Sequence, residues 1–598
     1  MSKTTPVIAV LFLILWAILI VYGDESKKTT DSSSAHYFPE GALIYAELNN
    51  TAPLFENVLD STLWWNLYNH PLYATLTQSN DFDGVRKTVR YLENNLNIQI
   101  PQLLAKLFGQ NISGALYEKD SKPVWIFISR HQNATLVKET VKSISQLVFM
   151  AGQMQKMMNF EDYEGISVLK LPKITLTIGK TWMAVSNDED LLRDFYGRTE
   201  WNKPNAIKSI AETTEYEEAL KTRKSGRLFG YAQYRKILTR MKKDKIFTQK
   251  PDEPIVTLLF GPLLNAIKVS DILTLSGDIQ DDGSFSLSAG YAYNKPSVPE
   301  YEFSTYPPTD SASQGFVTSD SVLFSLDLQR DLGKWWENRE ALHSELLIPK
   351  FVEFNTIVGQ LWGGVDVQED IFGDMYSDLR LIGVQTQLDQ GSPSPFFPGF
   401  VFSFRAKNPE KFVRAFRVGF QSAVGIANFE RAKDNKEVLL ICSEKTNQGM
   451  ITGARWIEPA REEEYKDIHY NFSPCIARVE NTFYLATSIE SLRTLLNQPL
   501  PVKKDPSIQD RFSISGPQLF KILEKNHEIL VWNKMVEVGG DQERAKNEIQ
   551  LLLDIVRQFA YVELQTQHDH NHFFLHLKTR NNRLDIANLQ HSTSPEVK

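Results

Sequence analysis

Three groups of residues have the types and spacing to do chemistry. In "SNDEDLLRDF" the carboxylates Asp188, Glu189, Asp190 and Asp194 fall within seven positions, a density that suits a hard divalent cation or an acid/base pair. In "QHDHNHFFLH" four of the chain's eleven histidines crowd together as His568, His570, His572 and His576. Side chains at i and i+2 of a strand share a face, so two of His568, His570 and His572 could grip Zn²⁺ or Cu²⁺, with Asp569 as a third ligand. The doublets Trp64-Trp65 and Trp335-Trp336 offer large aromatic surfaces for binding. Each group also has a plainer reading: a helix start, an exposed turn, and core packing. No G-x-S-x-G elbow, P-loop, dinucleotide fingerprint or H-E-x-x-H is present, which implies no cofactor and argues against an enzyme.

The elements that must position these residues recur along the chain. "GALIYAELNN" (41–50) is echoed by "DSVLFSLDLQ" (320–329), "STLWWNLY" by "LGKWWENR", and "LLAKLFGQNIS" by "VQEDIFGDMYS". Further on, "VWIFISRHQNATLVKETV" matches "FVFSFRAKNPEKFVRAFR", a strand, a polar break and a helix-period pattern. "IGKTWMAVSNDEDLLRDF" matches "VENTFYLATSIESLRTLL", "GRLFGYAQYRKIL" matches "RFSISGPQLFKIL", and a closing hairpin follows each. The order is kept throughout at offsets between 264 and 301, which implies two homologous domains, 38–293 and 319–580. The Pro-rich stretch 294–318 reads as a semi-extended linker, and 581–598 as a disordered tail. Alternating strands and helices with one apolar face predict an α+β fold, a mainly antiparallel sheet packed with helices in each domain.

The repeat weighs the acidic group against its plainer reading. At offset 301 Asp188 meets Ile489, Asp190 meets Ser491 and Asp194 meets Leu495. Ser186-x-x-Glu189 and Thr487-x-x-Glu490 persist, and that spacing is a capping box at the start of a helix. The tryptophan doublets persist as well, which favours packing. Adjacent helix positions point apart, so one indole of each pair is expected inside and the other under a loop or exposed.

The chain begins with one lysine and an apolar run from Pro6 to Tyr22, within a segment 1–23 that predicts a signal anchor or a cleaved signal peptide. Residues 24–37 form a polar tether. A membrane held through residues 7–22 would leave the bulk of the chain outside the cytoplasm, on the periplasmic side, or secreted after cleavage. The chain has 598 residues and a formal net charge of -8, and lacks the clustered Lys and Arg that nucleic acid demands. Cys442 and Cys475 are the only cysteines, enough for one disulfide or for two unpaired thiols.

"YFPEGALIYAELNN", the helix with "LWWNLY", "LNIQIPQLLAKLFGQNISGALY" and "WMAVSNDEDLLRDF" together resemble a family of exported bacterial proteins known only as a domain of unknown function. The resemblance implies an envelope location and brings no functional residues. The expectation is a non-enzymatic, membrane-tethered protein that binds or scaffolds another envelope protein. Two alternatives stand beside it: a carrier or sensor of an apolar, lipid-like ligand in a cavity between sheet and helices, and a hydrolase using acidic loop residues.

Overall fold

The computed structural model describes residues 33–53, 55, 91–150, 160–171, 173–201, 207–242, 249–279, 284–305, 320–457, 466–498, 508–568 and 571–581. The apolar run 7–22, Trp64, Trp65, Asp569 and His570 lie outside them. Among the described residues no helix is long and apolar enough to cross a membrane. The fold is α+β, as expected, with antiparallel strands and packed helices. It divides into two compact units: Met1–Asp244 with Asp271–Ala292 and Leu577–Lys598, and Lys245–Ser270 with Tyr293–His576.

The first unit is laid out by β1 (Ile44–Asn49), β2 (Asn111–Lys119), β3 (Lys122–Arg130), β4 (Glu161–Tyr163), β5 (Ile166–Lys170), β6 (Thr175–Ile178), β7 (Trp182–Ser186), β8 (Leu228–Ala232), β9 (Ser270–Ile279) and β10 (Phe285–Tyr293). Antiparallel pairing gives the order β9-β8-β1-β2-β3-β7-β6-β5-β4. Period-two patterning puts Ala115 and Tyr117 of β2 on the buried face, where they join a core of Phe38, Tyr45, Trp182, Phe195 and Phe229. Glu47 is also turned inward, and one oxygen of its carboxylate, Oε2, takes three hydrogen bonds there. It accepts from the Ser33 hydroxyl at 2.8 Å, the Ser34 amide at 3.0 Å and the Tyr45 hydroxyl at 2.7 Å, with the Arg223 guanidinium 3.4 Å away. A buried charge needs such partners to persist.

The second unit follows with β11 (Val322–Gln329), β12 (Met375–Val384), β13 (Gly399–Ala406), β14 (Leu439–Lys445), β15 (Met450–Trp456), β16 (Cys475–Val479), β17 (Thr482–Ala486), β18 (Ile508–Ser515) and β19 (Phe559–His568), together with the start of β20 (His572–Asn581), whose residues from Leu577 on belong to the first unit. Its order is β19-β18-β11-β12-β13-β17-β16-β15-β14, the same path as in the first unit with each strand's number raised by ten. Helix Pro409–Lys433 buries Phe412, Phe416, Gly419, Phe420 and Val424, an i, i+4, i+7 stripe, against this sheet. Phe412 and Phe416 meet Phe483 edge-on at centroid distances of 4.9 and 5.4 Å. Gly419 is required by packing, because a Cβ there would stand 2.3 Å from the Trp362 indole nitrogen. Cys442 and Cys475 are unpaired thiols on β14 and β16, both registered on Gly453 of the strand between. Strands two places apart lie roughly 10 Å from each other, beyond the reach of a disulfide.

The domain limits expected from the sequence need correcting in four places, the last two being Leu577–Arg580, which fall in the first unit, and Ala35 of the predicted tether 24–37, which is buried in the first unit's core. Helix Pro254–Val269 lies inside the predicted first domain but belongs to the second unit, and so do residues 294–305 of the predicted linker. Tyr301 and Phe303 are buried in the core of the second unit, on a short helical stretch in place of an extended tether. One side chain accounts for the first correction. Pro262 sits within helix Pro254–Val269 and has no N–H, so the Leu258 carbonyl loses its helical partner. Arg330, fully buried after β11, supplies the missing donor through Nε. Its Nη2 donates to the Leu259 carbonyl and to Asp510, and its Nη1 to the Gln329 carbonyl and to Asp510. All five guanidinium N–H groups are engaged, so the helix is bolted to β11 and β18.

Candidate functional site

In the second unit a cavity of about 750 Å³ lies between the sheet and its helices. The sheet provides one wall by register alone. Leu326 lies opposite Leu381, which lies opposite Phe402, and Leu328 lies opposite Leu379, so alternation brings these five side chains to one face. The facing wall is Leu258 and Leu259 of helix Pro254–Val269, Trp335 and Trp336 of helix Leu332–Glu337, and Phe351 and Phe354 of helix Ile348–Leu361. Ile255 and Phe354 at the rim are about half exposed, at 52% and 45%.

Polar groups within the walls are already partnered. The Trp335 indole N–H donates to the Thr257 hydroxyl at 3.0 Å, and that hydroxyl donates to the Pro254 carbonyl at 2.8 Å. His343 meets Trp335 edge-on and Phe351 at a tilt, and its ring nitrogens lie 3.4 Å from Thr257 Oγ1 and from the Pro251 carbonyl. Burial holds its imidazole below the ordinary histidine range. Arg380, which borders the cavity, is ion-paired with Asp327 across β11 and β12. The charged groups at the mouth are Asp252, Glu253 and Lys350, all exposed. Such a cavity can shelter an apolar body, and it presents no nucleophile beside a base.

Of the residues singled out in sequence, Trp335 and Trp336 are the ones brought to this cavity. Of the two arrangements expected for the second indole, covered or exposed, the structure has the covered one, since both are about 5% exposed or less. The helix that carries them is short and is covered on two sides. Phe351 and Phe372 meet both rings at centroid distances of 5.5–6.3 Å, and Arg339 covers Trp336 at 5.1 Å.

The acidic group around Asp188 is dispersed into separate ion pairs. Lys119 Nζ meets Asp188 at 2.9 Å and Asp190 at 2.8 Å, Lys170 meets Glu189 at 2.8 Å, and Arg198 meets Asp194 at 2.8 Å. The two capping boxes are corrected in register. Asp188 is the N-cap of helix Glu189–Thr199 and accepts from the Asp190 and Leu191 amides, a role for which a carboxylate at the positive helix end outcompetes Ser186. Ser186 ends β7 and donates to the Trp125 carbonyl. Ser488 caps helix Ile489–Leu496, while Thr487 accepts from the Phe400 amide and Glu490 accepts from Ser473. A capping box does form elsewhere, at Ser209 and Glu212.

His568 packs on Tyr293 and His572 stacks on Phe574, while Asp569 and His570 lie outside the described residues. Among the described residues no group of three His, Cys, Asp or Glu is arranged to hold a metal ion. Sequence reading missed helix Pro254–Val269, whose "PIVTLLFGPLLNAIKV" is apolar on every side. A helix with no polar face is one that packs on more than one neighbour, and that was the available signal.

No family model matches the chain. No curated protein matches it either. Among solved structures it is similar to crystal form III of TP0453, with 11% identity and a TM-score of 0.23 over 49% of this chain and 92% of that one. Crystal form I of the same protein gives 10% identity and a TM-score of 0.22 over 45% and 82%.

Proposed function

We propose that the protein is a non-enzymatic carrier or sensor of an apolar, lipid-like ligand, held in the second of two duplicated α+β domains and tethered to a membrane through residues 7–22. The observation that carries the ligand reading is the cavity of about 750 Å³, apolar on both walls and within the range of about 300–1,000 Å³ of small-molecule sites. The shared strand order supports the duplication, and the apolar N-terminal run supports the tether. The ion pairs of Asp188, Asp190 and Asp194 support reading that acidic group as part of the framework. Native mass spectrometry of gently extracted full-length protein is expected to show a bound lipid-sized mass, absent from a Leu328→Trp variant that fills the cavity. Protein that carries no apolar mass in either form would refute the reading.

A second reading, docking of an envelope protein, has its own observation. Trp532 and Val536 lie one turn apart on helix His527–Glu537 and are 65% and 69% exposed. Exposed Trp is a common anchor of protein interfaces. Crosslinking in intact membranes should capture a partner that a Trp532→Ala, Val536→Ala variant loses.

A further inference from the structure

Resting on the cavity reading above, we infer that the ligand is a single-tailed amphiphile whose head carries both a negative and a positive charge. The tail side follows from the walls. Leucines and aromatic rings cover both faces, and the buried donors that border the space are committed, the Trp335 N–H to Thr257 and the Arg380 guanidinium to Asp327. A polar head drawn inside would be desolvated without partners, at a cost its tail could not offset. The head therefore stays at the mouth.

The mouth is not of one sign. Lys350 projects from helix Ile348–Leu361, while Asp252 and Glu253 precede the first turn of helix Pro254–Val269. All three are exposed, and no ion pair joins the two sides among the described residues. Lys250, the nearest cation in sequence to the acids, donates to the Glu340 carbonyl. An ammonium on one wall and carboxylates on the other leave a place for each half of a zwitterion such as a phosphate ester of an amino alcohol. A purely anionic head would meet Asp252 and Glu253, and a purely cationic one would meet Lys350. Like charges select against the wrong ligand while opposite charges select for the right one.

The test uses full-length protein, freed of endogenous lipid and kept in amphipol, with N-phenyl-1-naphthylamine as the reporter of the cavity. Four dodecyl amphiphiles compete below their micellar concentrations: phosphocholine, sulfate, trimethylammonium and octaethylene glycol heads. Dodecylphosphocholine is expected to displace the probe at about fivefold lower concentration than the others, the size of effect two exposed charge contacts can give. Lys350→Glu should shift the preference to the trimethylammonium head, and the Asp252→Lys, Glu253→Lys double variant to the sulfate. Equal displacement by all four heads, or a preference that charge reversal leaves unmoved, overturns the inference while leaving the cavity reading intact. Failure of wild type to bind the probe, or probe binding unaffected by Leu328→Trp, overturns the cavity reading and this inference with it.

Discussion

Replacing Arg330 with methionine keeps an apolar stem in the same space and deletes five hydrogen bonds at once. Asp510 is then left buried with only the Gln329 amide and the Thr566 hydroxyl as donors to its carboxylate. Breaking a buried pair from one side costs about 3–5 kcal/mol. The Leu258 carbonyl, which Pro262 has already deprived of a helical partner, adds a desolvation cost of about 1–3 kcal/mol. The two losses share one site and are not additive, so about 4–6 kcal/mol is expected for holding helix Pro254–Val269 in place. Hydrogen exchange followed by mass spectrometry reads this locally, which matters in a chain of two units where no single unfolding free energy is defined. Amides of residues 254–269 should exchange about a thousand- to ten-thousandfold faster in Arg330→Met, from about 1.4 kcal/mol per decade. The Arg330→Met, Asp510→Asn double variant should recover part of the protection, because no lone charge remains. Exchange of 254–269 within a fewfold of wild type in Arg330→Met would refute the bolt.

Gly419→Val should destabilise the second unit by about 1–3 kcal/mol through overpacking against Trp362, seen as a lower melting temperature, whereas Gly425→Ala, which meets nothing nearby, should raise it slightly. Burial keeps His131 and His343 below the ordinary imidazole range, so the unfolded chain protonates first as pH falls below about 6.5. Stability is therefore full above that pH and declines below it, until the folded-state imidazoles protonate too. His343→Asn should flatten part of that decline in denaturation midpoints taken between neutral pH and pH 5. Arg493 and Arg455 hold the Asp389 carboxyl down at about 2, so its contribution is full above the ordinary carboxylate value of about 3.9 and is lost as pH falls from there through about 2. Since Asp389 is 38% exposed, Asp389→Asn should cost less than about 1 kcal/mol at neutral pH, measured by urea midpoint.

The α+β class was legible because period-two runs such as β2 and one-faced helices such as Gln542–Gln558 carry their packing in their own pattern. The helix starts were legible to within two residues, but the capping residue was not. Ser186 and Asp188 both suit an N-cap, and the choice between them depends on where β7 stops pairing with β3 and β6. The tryptophan doublet at 335–336 was legible as packing, whereas the burial of both rings depends on Phe351 and Phe372 arriving from other elements. The roof helix was misplaced for a similar reason. Its partner, Arg330, lies about 70 residues further along the chain, and nothing local announces a contact at that range.

That placement has a consequence for how the chain is made. Ser270 leaves the ribosome before any strand of the sheet that its helix covers, and Ala406, the end of β13, emerges 136 residues later. At about 5–20 residues per second the nascent helix waits roughly 7–27 s for its seat. During that wait its apolar faces have no native partner from the second unit. The same order means that cutting the gene at the Pro-rich segment 306–319 would not yield a working second half. The fragment would keep Trp335 and Trp336 and lose the helix that shelters them.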